Sequence, residues 1–148
     1  MGYVFTYNGI TISWCSIKQP LVVTSSNHSE ILAHHETSRE CVWLRSIIYH
    51  IQNTCGFSLS TGMPTPILED TAACIAQIRE SYIKDDKTKH ISPKFFYTHE
   101  LQQSRQIDVK QIRSTDNLAD LFTKALPTST FEKLVYRIGM RRLYKLHD

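Results

Sequence analysis

The chain has 148 residues, a length typical of one domain and sufficient to bury a core without disulfides. Its hydrophobic content of 41% is that of a globular protein, and no apolar run approaches the roughly 18 residues that a membrane span needs, so we expect no membrane partner. Residues 75–148 carry a net charge near +5 and residues 1–74 one near −2, which suits a polyanion bound along the C-terminal half, although charge alone favours a solvated basic surface.

A β-hairpin is predicted at the start of the chain. Residues 3–7 and 10–15 are separated by Asn8-Gly9, the two-residue signal of a type I′ turn. In the second strand, large apolar residues alternate with smaller ones, so we expect one face to be buried. The residues of that face are Ile10, Ile12 and Trp14. Residues 21–24 then form a short extended segment.

A long helix is predicted over residues 28–53. Asn27 is a candidate N-cap, Glu30 lies three residues later as in a capping box, and Gly56 is the stop signal. Apolar residues at helical spacing predict its buried stripe. They are Trp43, Leu44, Ile47, Ile48 and Ile51.

The middle of the chain predicts a short buried strand followed by two helices. The strand begins at Ile67-Leu68 and ends at Glu69-Asp70, and a helix follows over residues 71–81. Residues 84–90 form a polar loop, and residues 92–104 a second helix. That helix has a proline in its first turn and apolar residues behind it. They are Pro93, Phe95, Phe96 and Leu101.

The C-terminal third predicts one more strand and two helices. Residues 107–113 alternate like a strand, and Asp116 is a candidate cap of the helix that follows. The last helix has a capping box from Ser129 to Glu132 and ends at Gly139. Together these elements predict an α/β domain over residues 1–139, a mixed sheet with flanking helices, followed by a basic tail over residues 140–148.

The cysteine and histidine pattern is a weak signal for a metal or redox site. The four cysteines contain no Cys-x-x-Cys pair, so we expect reduced, mostly buried thiols. They are Cys15, Cys41, Cys55 and Cys74. His34 and His35 are adjacent and therefore face different sides of a helix, so they cannot hold one ion together.

Three acidic residues, Glu30, Asp70 and Asp120, are the candidates for catalysis and metal binding. Each lies where a predicted helix begins, and acids that meet at strand ends can hold Mg²⁺, which prefers oxygen ligands. Two such ions about 4 Å apart activate water and stabilise the leaving oxygen in phosphodiester cleavage. Each acid also has a purely structural explanation, as a helix cap or as a partner of the helix dipole.

Short segments between Gly2 and about Leu143 favour the catalytic explanation of the three acids over the structural one. They are Ile12-Ser-Trp14 with Lys18-Gln-Pro20, Ser25-Ser-Asn-His-Ser-Glu30, Cys41-Val-Trp-Leu-Arg45, Glu69-Asp-Thr-Ala-Ala73, Thr88-Lys-His-Ile91 and Leu118-Ala-Asp-Leu-Phe-Thr-Lys124. They resemble the motifs I-S-W-x-S-x-K-Q-P, S-S-T-E-A-E, A-x-W-L-R, C-D-N-Q-S or E-D-N-x-A, T-K-H-I and L-A-D-x-F-T-K of one family. That family is the ribonuclease H domain at the end of the Pol polyprotein of copia-type LTR retrotransposons.

The resemblance implies a ribonuclease H-like fold and a Mg-dependent nuclease that cuts the RNA strand of RNA/DNA hybrids, with one or two ions. Glu30, Asp70 and Asp120 fall on the family's second, third and fourth catalytic acids. The first acid lies on a central strand that would precede Gly2, so we expect a gapped or rearranged sheet, low stability, weak metal binding and little activity from these residues alone. The motifs also depart from the family's at His28, Ile31 and Thr71.

The resemblance also suggests partners. Basic residues near the motifs are candidate contacts to nucleic acid. Solvated surface explains the lysines equally well, and packing or helix capping explains the histidine better. They are Lys87, Lys89, His90, Lys94 and Lys124. The upstream reverse transcriptase region is a second candidate partner, and the expected location is a cytoplasmic virus-like particle with access to the nucleus. The rival hypotheses are a non-catalytic nucleic-acid-binding fragment and a non-functional relic.

Overall fold

The computed structural model describes residues 1–18, 26–57, 62–80 and 92–141, which form a mixed α/β structure. The elements are β1 (Gly2–Tyr7), β2 (Ile10–Ser16), α1 (Ser26–Thr54), β3 (Thr65–Glu69), α2 (Ala72–Glu80), α3 (Ser92–Gln103), β4 (Ile107–Gln111), two 3₁₀ helices (Ser114–Asp116 and Leu118–Phe122) and α4 (Thr128–Arg137). The mixed α/β class expected from the sequence is therefore confirmed.

The chain divides into two compact units, and each is described by itself. The terminal unit combines Met1–Val22 with Ile112–Asp148, and the central unit is Val23–Gln111. In the terminal unit β1 pairs antiparallel with β2, and in the central unit β3 pairs parallel with β4. Within the described residues, the four strands therefore form two small sheets of two strands each.

The hairpin of the terminal unit turns at Asn8-Gly9, as predicted. Both residues have positive φ, 49° at Asn8 and 78° at Gly9, and they join the paired residues Tyr7 and Ile10. A type I′ turn requires positive φ at both central positions, which asparagine and glycine tolerate best. The local sequence alone therefore determines this turn.

The prediction of which hairpin face is buried is wrong. The face of Ile10, Ile12 and Trp14 is exposed, with 62% of Trp14 accessible to solvent. The opposite face is half-buried because other parts of the terminal unit cover it: the Thr11 hydroxyl donates to the Ile138 carbonyl at 3.0 Å, and the Leu118–Phe122 helix packs against β1. Alternation reveals two faces of a strand, and tertiary packing decides which one is covered.

The helices of the terminal unit are capped differently from the prediction. Asp116 does not cap the Leu118–Phe122 helix; Asn117 does, with its side chain accepting from the Ala119 amide at 3.1 Å. Asp116 instead accepts from Lys133 and Arg137 of α4, each at 2.8 Å, and so ties α4 to the preceding loop.

The predicted capping box at the start of α4 is also wrong. The helix begins at Thr128 after Pro127, which has no side-chain cap, so Ser129 lies inside the first turn rather than before it. The fixed φ of proline already directs the chain into the helix, which removes the need for a serine cap. The predicted stop at Gly139 is confirmed, since Gly139 has φ 88° directly after the last turn.

The core of the central unit lies between its parallel strand pair and its helices. Ile67 of β3 and Ile107 and Val109 of β4 point inward, and Phe95 of α3 is fully buried. Leu68, which the sequence places in a buried strand, is 53% exposed because it points to the opposite face of β3. The other buried apolar side chains come from all three helices: Ile31, Leu32, Cys41, Cys74, Ile75, Ile78 and Leu101.

Helix α1 begins earlier than predicted, and its predicted stripe is only partly covered. Because the helix starts at Ser26, Asn27 lies inside it rather than at its N-cap, and Glu30 lies beyond the first turn. Its fully buried side chains lie between Ile31 and Cys41. Within the predicted stripe, Trp43 and Ile51 are more than half exposed, whereas the other three residues are half-buried: Leu44, Ile47 and Ile48. The predicted end at Gly56, with φ 70°, is confirmed.

The remaining boundaries differ from the prediction by one or two residues. Strand β4 ends at Gln111 rather than at residue 113, and α3 ends at Gln103 rather than at residue 104. Helix α2 begins at Ala72, one residue later than predicted. The predicted extended segment 21–24, polar loop 84–90 and most of the basic tail lie outside the described residues.

Candidate functional site

A buried polar cluster lies where α1, β3 and α2 of the central unit come together. His34, Glu69 and Cys74 are 3%, 8% and 0% exposed, and one nitrogen, oxygen or sulfur atom from each lies within 4.8 Å of the others. His34 Nε2 is 2.8 Å from Glu69 Oε2. We call these three residues the His34–Glu69–Cys74 cluster.

Local structure explains why each side chain of the cluster points inward. His34 lies three residues after Ile31 and four before Ser38, on the buried face of α1. Glu69 is two residues after Ile67, so the alternation of β3 directs both to the same side. Cys74 is the third residue of α2. The cluster is therefore held by regular secondary structure rather than by a loop.

The Glu69 carboxylate is held ionised within the cluster. Burial by itself would raise its pKa, but the hydrogen bond and charge of His34, together with hydrogen bonds from Thr71, outweigh burial and lower the pKa to about 2. The Thr71 amide donates to Glu69 Oε1 at 2.8 Å. The two carboxylate oxygens thus serve different partners, one on α1 and one just before α2.

We expect the central unit to lose stability as the pH falls from about 4.5 towards 2. A carboxyl whose pKa is lower in the folded chain contributes stability above its unfolded pKa and loses that contribution as the pH falls through its folded pKa. Urea unfolding at a series of pH values measures this effect. Glu69→Gln should remove this part of the pH dependence, and an unchanged profile in that variant would contradict the assignment.

Cys74 is a neutral thiol in this setting. Burial raises its pKa, and the negative charges of Glu69 and Glu30 raise it further. Glu30 is half-buried and lies one helical turn before His34 on α1, and its charge acts on the Cys74 thiol through space. Glu30 thus borders the cluster from α1.

Asp70 borders the cluster from the sheet side. It follows β3 directly, next to Glu69, and is half-buried. The Thr71 hydroxyl lies 3.5 Å from its Oδ1, at the outer limit of a hydrogen bond. Of the three predicted acids, Glu30 and Asp70 therefore belong to the central unit and lie beside its buried cluster.

Asp120 belongs to the terminal unit. It lies in the first turn of the Leu118–Phe122 helix and is 5% exposed. Lys124 Nζ lies 2.9 Å from its Oδ1 and 3.0 Å from its Oδ2. A buried carboxylate needs a compensating cation, and here the chain itself supplies one. Lys124, a predicted nucleic-acid contact, is thus also engaged with a predicted metal ligand.

The other predicted nucleic-acid contacts fall partly outside the described structure. Lys94, on α3, is about one-third exposed and lies 3.8 Å from Glu36. Lys87, Lys89 and His90 lie outside the described residues.

Sequence reasoning missed the cluster itself. The sequence predicts Cys74 only as a buried thiol, and it predicts Asp70 rather than Glu69 as a metal ligand. The alternation of β3 does contain a signal, because it directs Glu69 to the same side as Ile67. The prediction that His34 and His35 face different sides is confirmed, since His35 contacts Glu36 and the ring of Tyr97 instead.

No helix among the described residues is both long enough and apolar enough to cross a membrane.

Comparison with known proteins identifies retrotransposon Pol polyproteins as homologues of this chain. It is 27% identical over 139 residues to the retrovirus-related Pol polyprotein from transposon TNT 1-94 of Nicotiana tabacum, covering 94% of this chain and 10% of that protein. It is 28% identical over 142 residues to the corresponding polyprotein from transposon RE1 of Arabidopsis thaliana, covering 96% of this chain and 9% of that protein.

The similarity extends to yeast. The transposon Ty1-JR1 Gag-Pol polyprotein of Saccharomyces cerevisiae is 27% identical over 134 residues, covering 90% of this chain and 7% of that protein. The chain therefore spans about a tenth or less of the length of these relatives. No protein-family model matches the chain, and no solved structure matches it significantly.

Proposed function

We propose that this retrotransposon-derived segment, similar to Pol polyproteins over most of its length, is a remnant of their ribonuclease H domain that contacts RNA/DNA hybrids. The observation that carries the proposal is that Glu30 and Asp70, which match the family's second and third acids, lie beside one buried cluster in the same compact unit. An acid at the end of a strand and another on a neighbouring helix of the same unit are compatible with a phosphodiesterase site, which supports the proposal.

The half-buried carboxylates of Glu30 and Asp70 fit a Mg²⁺ ion, which prefers oxygen ligands and keeps several waters. Bound Mg²⁺ would supply activation of water and stabilisation of the leaving oxygen. Asp120 fits less well, because the ammonium group of Lys124 already neutralises its carboxylate. We therefore assign the metal contacts of the central unit to Glu30 and Asp70.

A non-catalytic nucleic-acid-binding fragment is the second candidate function. The ion pair between Asp120 and Lys124 favours it, because cleavage with Asp120 as a metal ligand requires Lys124 to move away.

We expect the full chain to bind RNA/DNA hybrid, with an affinity that falls about tenfold or more between low and physiological salt as counterions are released. Fluorescence anisotropy with a labelled hybrid measures this. Replacing Lys87, Lys89 and Lys94 by glutamine should weaken binding, whereas Lys110→Gln, a change of the same kind on β4, should not. An affinity that does not change with salt concentration, or an equal loss of affinity in the two variants, would contradict a basic contact surface.

A cleavage assay separates the two candidates. The chain and its Asp70→Asn variant are incubated with labelled hybrid and Mg²⁺. Equal background in both variants, with hybrid binding retained, supports the non-catalytic fragment. Magnesium-dependent cleavage that Asp70→Asn abolishes supports an active nuclease. A chain that neither binds nor cleaves hybrid contradicts the proposed function altogether.

A further inference from the structure

The His34–Glu69–Cys74 cluster contains a set of atoms that bind transition metals rather than Mg²⁺. It offers an imidazole nitrogen, a carboxylate oxygen and a sulfur, all within 4.8 Å of one another and all buried. We propose that this cluster binds a divalent transition-metal ion, with Zn²⁺ as the natural candidate. This site differs from the carboxylate site of Glu30 and Asp70, and it does not depend on the function proposed above.

The spacing of the three groups suits a tetrahedral ion. Zinc bonds of about 2.0 Å to nitrogen or oxygen and 2.3 Å to sulfur place neighbouring ligands roughly 3.3–3.8 Å apart. His34 Nε2 and Glu69 Oε2 are now 2.8 Å apart, so they need to separate by only a fraction of an ångström to receive an ion between them. Three protein ligands leave the fourth position for water, as in zinc sites that are not purely structural.

The charges of the cluster match a divalent cation. A bound ion would take Glu69 as a carboxylate and Cys74 as a thiolate, with the thiol proton released to solvent. One carboxylate and one thiolate then neutralise the two positive charges of the ion, so the complex carries no net charge into the buried site. This balance removes the main cost of burying an ion.

His34 is not fully accounted for by hydrogen bonds within the fold. Its side chain is 97% buried, since only 3% is exposed, and its Nε2 lies 2.8 Å from the Glu69 carboxylate. Its Nδ1 has no hydrogen-bond partner among the described residues, which is unusual for a buried polar atom. One ring nitrogen of His34 is also within 4.8 Å of ligand atoms of both Glu69 and Cys74, which is the proximity that a shared metal ion requires.

The alternative explanation is a hydrogen-bonded His–Glu pair with an unreactive thiol beside it. The two explanations differ in one property: only a metal site brings the sulfur of Cys74 into a bond. Cobalt(II) is the appropriate probe, because a Co²⁺–thiolate bond gives charge-transfer absorption in the near ultraviolet and tetrahedral Co²⁺ gives intense visible bands.

The experiment is a Co²⁺ titration of the reduced full-length chain. We expect both absorption features at one equivalent of Co²⁺, their loss when Zn²⁺ is added, and no change when Mg²⁺ is added in excess. Cys74→Ser should remove the charge-transfer band, and Glu69→Gln should weaken Co²⁺ binding, because a neutral amide is a poorer ligand than a carboxylate. Cys55→Ser, at an exposed cysteine of the same unit, should leave the spectrum unchanged.

Clear outcomes overturn the proposal. The absence of the charge-transfer band in the folded wild-type chain would do so without any variant, so a Cys74→Ser protein that failed to fold would not leave the question open. A band that persists in Cys74→Ser, or one that disappears in Cys55→Ser, would place the sulfur ligand elsewhere and would also overturn it.

Discussion

Replacing Glu69 with alanine should lower the free energy of unfolding of the central unit by about 3 kcal/mol, measured by urea denaturation in the presence of a chelator. The variant leaves His34 buried without its hydrogen-bond partner and also removes the acceptor of the Thr71 amide. An unsatisfied buried polar group costs about 1–3 kcal/mol, and two groups lose their partner here.

Asp108→Ala is the matched control for this prediction. Asp108 pairs with Lys110 on β4 of the same unit, at 3.1 Å, but both side chains are substantially exposed. A surface pair of this kind contributes about 0–1 kcal/mol. If Glu69→Ala and Asp108→Ala destabilised the chain equally, burial would not be what makes the His34–Glu69 contact important.

Replacing Phe95 with alanine should cost about 3–5 kcal/mol of stability, whereas the same change at Phe96 should cost about 1 kcal/mol. The two residues are adjacent on α3, yet Phe95 is 0% exposed and Phe96 is 53% exposed. Truncating Phe95 leaves a cavity in the core, while truncating Phe96 removes mainly its edge contact with the Phe95 ring, whose centroid lies 5.6 Å away.

Chemical denaturation of the two variants under identical conditions measures this difference directly. Both variants lose the same atoms from the same helix, so helix propensity cancels in the comparison. A larger cost at Phe96 would mean that α3 presents its other face to the core. A small cost at both positions would mean that the central unit is loosely packed, as the expectation of low stability for these residues alone allows.

Features that depend only on residues adjacent along the chain could be predicted from the sequence. The turn at Asn8-Gly9 and the helix stops at Gly56 and Gly139 are correct, because each rests on the ability of those residues to adopt positive φ. The helices and strands were also placed within one or two residues of their observed bounds. The predicted caps at Asn27, Asp116 and Ser129 are wrong, because a helix start that moves by one residue also moves the N-cap position.

The choice between equivalent faces could not be predicted. Alternation in β2 and periodicity in α1 each define an apolar face, but other elements cover Thr11 rather than Trp14, and the N-terminal half of α1 rather than Trp43 and Ile51. Among the neighbours Phe95 and Phe96, too, only the packing of α3 decides which ring is in the core.

The sequence by itself determined the local turns and the approximate elements, and motif resemblance predicts Glu30, Asp70 and Asp120 as site residues. Only the tertiary structure decided that His34, Glu69 and Cys74 share one buried cluster, although 35 residues separate the first two. The reason is physical: backbone preferences act over a few residues, whereas burial and hydrogen bonding act between groups that only the packing of α1, β3 and α2 brings within reach.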